Sequence, residues 1–183
     1  IPDDIVIDDT RIWLERAVIG LNLCPFAKSV HVKGQIHYAV SHAATSQDFL
    51  QDLVRELKDL ATADPIARDT TLLIATQCLA DFLDFNDFLA LADHALVELD
   101  LDGVLQIANL HPDYQFAGTH ADDITNYTNR SPYPTLHLLR EDSIDRAVAA
   151  FPHAETIFQK NMDAMERLGR EGWDALGVGR SPA

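Results

Sequence analysis

Between residues 35 and 109 the chain alternates three short apolar runs with two longer segments whose apolar residues recur at helical spacing. Residues 35–40, 70–75 and 104–109 have the length of strands. Between the first two, Phe49, Leu50, Leu53, Val54, Leu57, Leu60 and Ala61 fall on one helical face. Thr45 opens that helix, with Asp48 three residues on as a capping-box variant. Between the second pair, Phe85, Phe88, Leu89, Ala92, Leu96 and Leu99 form another face, with Asp84 read as the cap. A strand–helix–strand–helix–strand order implies right-handed crossovers, and so a mainly parallel three-stranded unit. A fourth strand is predicted at 135–140, and no helix separates it from the third, which points to antiparallel addition. The fold class is therefore α/β: a single domain with a three-layer-like mixed sheet of about four strands and flanking helices.

Outside this unit the periodicity predicts a helix from Arg11 to about Asn22, ended by Pro25. Its narrow polar stripe of Arg11, Glu15 and Asn22 implies that most of its surface is buried. A short helix is predicted from Ser143 to near Pro152, and a last one from about Ala154 to Leu168. In the last, Ile157, Phe158, Met162, Met165 and Leu168 are expected to face inward. Residues 1–10 read as an extended leader and 177–183 as a loose tail.

Composition narrows the function classes. At 183 residues and 47% hydrophobic, the chain suits one domain with a true core. A net charge of −15 makes nucleic acid and anionic membranes poor partners, because both require clustered cations. The longest apolar run is too short to span a bilayer. Residues 1–10 are acidic and lack the basic start of a secretory signal, so a cytoplasmic location is expected. Cys24 and Cys78 form no Cys-x-x-Cys pair and read as free thiols. No Gly-rich phosphate loop, dinucleotide fingerprint or Gly-x-Ser-x-Gly elbow occurs, so no cofactor is assigned.

In open α/β sheets ligands sit beyond the carboxyl ends of the strands. Here those ends carry Ser41 and His42, then Thr76, Gln77 and Cys78, then Asn109 and His111. A 24-residue stretch without periodicity, 111–134, begins at the same edge. Loops of that length in a compact domain are usually functional. Its four aromatic residues, Tyr114, Phe116, Tyr127 and Tyr133, argue that it is ordered.

Several residues in this region carry usable chemistry. His111 is a candidate general acid–base, because an ordinary imidazole titrates near working pH. Arg130 is the first cation after a span, 69–129, that holds eleven acidic residues and no Lys or Arg. With Asn129, Asp123 and Tyr133 beside it, it reads as a binding centre for a carboxylate or phosphate. The competing reading is an internal ion pair of Arg130 with Asp122 or Asp123. Cys24 is an inert thiol if it merely follows the first helix. It is a reactive one if Pro25 opens a new helical turn with Cys24 as its cap. Tyr114 is a candidate assisting group. His111, His120, Asp122, Asp123 and His137 are an alternative metal-ligand set, although His-x8-His-x-Asp-Asp matches no tight metal motif.

Two long motifs carry a family resemblance. They are Trp13-Leu-Glu-Arg-Ala-Val-Ile-Gly-Leu-Asn-Leu-Cys-Pro-Phe-Ala27 and the run 111–141, which includes Asn129-Arg-Ser-Pro-Tyr-Pro-Thr-Leu-His-Leu-Leu-Arg-Glu141. On these residues the chain resembles the bacterial domain-of-unknown-function family fourteen-fifteen over nearly its whole length. The resemblance implies membership and brings no reaction with it. Three readings stand open: a small-molecule enzyme that binds an anionic substrate at the 111–134 loop with histidine acid–base chemistry, a non-catalytic interaction module, and a metal-binding domain. The sequence assigns no oligomeric state.

Overall fold

The structure is a computed structural model and describes residues 1–182. The chain opens with helix α1 (Asp3–Trp13), which passes directly into a π-helical segment, Leu14–Ile19. The first ten residues are therefore mostly helical rather than an extended leader. Pro2 at the N-cap, with its fixed φ, and Asp3 and Asp4 in the first turn suit a helix start. Val6, Asp9, Thr10 and Trp13 then bury one face.

Helix α2 (Ala27–Val32) leads to β1 (Ile36–Ser41), α3 (Ser46–Thr62), β2 (Thr70–Ala75), α4 (Phe82–Glu98) and β3 (Leu105–Leu110). The Thr45 side chain accepts from the Asp48 backbone N–H at 3.1 Å, as the capping motif requires. The cap of α4 is Asp81 instead of Asp84: its carboxylate accepts from the N–H groups of Leu83 and Asp84. A 3-10 segment (Ile124–Asn129), β4 (Thr135–Arg140), α5 (Glu141–Ala150) and α6 (Ile157–Ala175) complete the fold.

The sheet order is β1-β2-β4-β3. β1 and β2 are parallel neighbours, and β4 pairs antiparallel with both β2 and β3. The strand expected to add antiparallel thus inserts between the second and third, so β3 runs in the common direction without touching β2. Burial accounts for the insertion. Leu136 and Leu138 on β4 are fully buried, whereas β3 carries exposed Gln106 and is better suited to an edge.

Both faces of the sheet are covered. On one, Leu73, Ala75, Leu105, Leu136 and Leu138 pack with Phe49, Leu53 and Leu57 of α3 and Phe85 and Phe88 of α4. On the other, Leu72, Ile74 and Tyr133 pack with Val6 of α1. A further cluster joins Trp13, Leu14 and Ala17 to Tyr127, Met165 and Trp173. Helix α6 is broken at Gly169, whose φ of 66° and ψ of 179° leave the helical region. Phe158, expected inward, is 62% exposed at the start of α6, while Met165 is buried. Among the described residues no helix is long and apolar enough to cross a membrane.

Candidate functional site

The loop after β3 is organised around His111, which is 0% exposed. Its Nε2–H donates to the Leu79 carbonyl at 3.0 Å, and its Nδ1 accepts from the Asp113 N–H at 3.0 Å. Phe82 and Phe85 flank the ring with centroids at 5.3 and 5.0 Å. Burial pushes its pKa below the ordinary histidine value, and the Leu79 bond offsets this only in part. The group expected to move protons is thus a neutral imidazole with both nitrogens engaged inside the protein.

The other loop residues show the same inward use. Asn126, fully buried, accepts from the Phe116 N–H and donates to the His120 carbonyl. The Asp123 carboxylate accepts from the His120 N–H at 3.0 Å, and Asp123 stands at the N-cap position of the 3-10 segment without a side-chain capping bond. The Asn129 carbonyl accepts from the His111 N–H at 3.1 Å. Tyr114 packs between Phe82 and Phe116, tilted against the first and edge-on to the second, and burial raises its pKa. Tyr133 is 0% exposed, and its hydroxyl donates to Asp9 at 2.7 Å. Burial, then the Asp9 carboxylate, push that phenol up to about 12.

Arg130 does not pair with Asp122 or Asp123. Its Nε donates to the Tyr114 carbonyl at 3.1 Å and its Nη2 to the Ala121 carbonyl, while the guanidinium lies 4.2 Å from the centre of the Tyr127 ring. Arg130 also lines a cavity of about 500 Å³, and it is joined there by two arginines that the sequence reading passed over. Arg170 follows the break at Gly169. Its Nε is 3.0 Å from Asp174, and its Nη1 donates to the Tyr127 hydroxyl. Arg180 comes from the tail, where its Nε donates to the Pro132 carbonyl at 2.8 Å and its guanidinium stacks 4.6 Å from the centre of Tyr133. Among the described residues, Arg130 and Arg180 make no ion pair.

The tail that delivers Arg180 is tied down, not loose. The Arg16 Nη1 donates to the carbonyls of Leu176 and Gly177. Buried Asp9 accepts from the Ser181 N–H at 2.9 Å and from the Ser181 hydroxyl at 2.6 Å. Burial alone would raise the pKa of Asp9, but the bonds from Ser181 and Tyr133, with Arg180 nearby, bring it below the usual carboxylate value. The aromatic walls are Trp13, Tyr127 and Trp173, and Tyr127 meets Trp173 edge to face at 5.3 Å. Pro112 and Asp113 follow β3, and Ser131 and Pro132 precede antiparallel β4. The cavity therefore opens at the sheet edge where the carboxyl end of β3 lies.

A second cavity, of about 400 Å³, lies near the ends of β1 and β2 and is lined by Ser46, Cys78, Asp84, Asp87 and Phe88 among others. Burial, with Asp52 and Asp48, pushes the Cys78 thiol up, which disfavours its thiolate. Cys24 sits in the turn before α2, where its carbonyl accepts from the Ala27 N–H. The N-cap of α2 is Phe26, so Cys24 opens the turn of Pro25 and Phe26 without capping the helix itself. Among the described residues no group of three or more His, Cys, Asp or Glu is placed to hold a metal ion.

Arg170 and Arg180 had only a faint signal in sequence. Each follows a glycine, and Gly169 and Gly179 both adopt positive φ. No curated protein and no solved structure matches the chain. A family model does match residues 5–175, so the chain belongs to the family described as protein of unknown function DUF1415.

Proposed function

We propose that this protein binds a small anionic molecule in the arginine cavity. One observation carries the reading. In a chain of net charge −15, three guanidiniums from the 3-10/β4 junction, the end of α6 and the tail converge on one cavity, and two of them lack a carboxylate partner. Collecting like charges costs free energy that an anion recovers on binding. The cavity volume of about 500 Å³ falls in the range of small-molecule pockets, roughly 300–1,000 Å³. A concave polar site with aromatic walls favours this reading over an interaction module, which calls for an exposed apolar patch. His111 supports the loop that carries the site and is not assigned a proton-transfer role.

Both tryptophans of the chain, Trp13 and Trp173, line the cavity, so tryptophan emission reports its occupancy. Benzoate, phthalate, inorganic phosphate and phenyl phosphate are titrated at low salt. At least one is expected to give a saturable change that weakens with added salt. Arg180→Gln is expected to weaken that binding by about tenfold or more, the scale of a lost charge-assisted hydrogen bond. No saturable response to any of the four, or an unchanged affinity in Arg180→Gln, overturns the reading.

A further inference from the structure

We infer that the group held by the three arginines is a phosphoryl group, carried as a monoester on a small organic body. The inference rests on the anion-site reading and adds the class of ligand. It comes from which guanidinium nitrogens are already engaged. A planar carboxylate is best held by the two parallel N–H groups of one arginine fork. On all three arginines the Nε is taken: by the Tyr114 carbonyl for Arg130, by Asp174 for Arg170 and by the Pro132 carbonyl for Arg180. The side-on fork is thus closed at each.

What remains are terminal donors on three residues: Nη1 of Arg130, Nη2 of Arg170 and the end-on Nη pair of Arg180, none of which has a hydrogen-bond partner among the described residues. Donors arriving from three chain segments match a tetrahedral group with three terminal oxygens and two negative charges. A flat carboxylate would take the end-on Nη pair of Arg180 and leave the free donors of Arg130 and Arg170 unmet.

The cavity is also far larger than an inorganic phosphate, at about 500 Å³. Aromatic and proline walls suit an organic body, and the Asp113 carboxylate in the lining can accept from a hydroxyl or amine on it. A bare anion gains nothing from Asp113.

The test compares four probes by tryptophan emission on the full chain: phenyl phosphate, inorganic phosphate, benzoate and phthalate. Phthalate supplies two charges on planar groups and so separates shape from charge. The expected result is that phenyl phosphate binds at least about tenfold more tightly than each of the other three, with the difference reduced in both Arg180→Gln and Arg170→Gln. Benzoate or phthalate binding as well as phenyl phosphate overturns the phosphoryl assignment while leaving the anion site standing. Inorganic phosphate binding as well as phenyl phosphate overturns the organic body. Failure of all four removes the anion site itself, a result distinct from either.

Discussion

His111 shows how a residue type with catalytic potential is used structurally when its surroundings leave no open valence. The neutral imidazole is both donor and acceptor, and here each nitrogen has one partner, the Leu79 carbonyl and the Asp113 N–H. Leu79 itself is left-handed, with φ of 59°, a conformation that costs a non-glycine residue about 1–2 kcal/mol. The bond from His111 helps to hold it there. His137 on β4 is also kept neutral: burial lowers it to about 4. Unfolded, both rings take up a proton near pH 6.5. Folded, they resist until lower pH, so across this window the unfolded chain binds more protons. Stability is therefore expected to fall as pH drops from about 6.5 to about 4, measured as the urea midpoint. His137→Leu should flatten part of that slope. A midpoint constant across the window contradicts the assignment.

At the scale of elements, the caps and the helix break decide where side chains go. Asp81 satisfies two backbone donors at the start of α4, whereas Asp84 lies within the first turn and interacts only with the helix dipole. Asp81→Ala is expected to cost about 1 kcal/mol and Asp84→Ala a few tenths, read by denaturant unfolding. Equal losses would return the cap to Asp84. Spacing in the sequence was enough to place α3 and α4, because their apolar faces repeat strongly. It misplaced this cap by three residues, since Asp81 and Asp84 are both plausible before an apolar run and only backbone geometry separates them. The break in α6 was likewise hidden. Nothing in Leu168-Gly-Arg170 states that Gly169 takes a positive φ, yet this is what turns Arg170 and Trp173 away from the line of the preceding helix.

The whole molecule is closed by Asp9. Its carboxylate joins α1 to Tyr133 before β4 and to Ser181 in the tail, across 172 residues of sequence. Arg180 is held next to that lock, so the geometry of the cavity depends on it. Asp9→Ala leaves a buried Tyr133 hydroxyl without its acceptor, a loss of about 1–3 kcal/mol. The expected signature is specific: the Ser181 amide loses its protection from hydrogen exchange, while amides of β2 and β4 are slowed less only in proportion to the lost global stability. Unchanged exchange at Ser181 would show that the tail is held by Arg180 and Arg16 alone.

Local periodicity was enough for the α/β class, the four strands, helices α3 and α4 and the crowded loop after β3, because it survives without tertiary information, whereas most of α1 read as an extended leader. It also singled out Arg130, since a lone cation after a long acidic span is visible in one dimension. Packing in three dimensions sets β4 between β2 and β3, seals His111 and brings Arg170 and Arg180 to the cavity that Arg130 lines. Those outcomes depend on contacts between segments far apart in the chain, such as Asp9 with Ser181. A tail of small and polar residues looks loose until the buried carboxylate that anchors it is known.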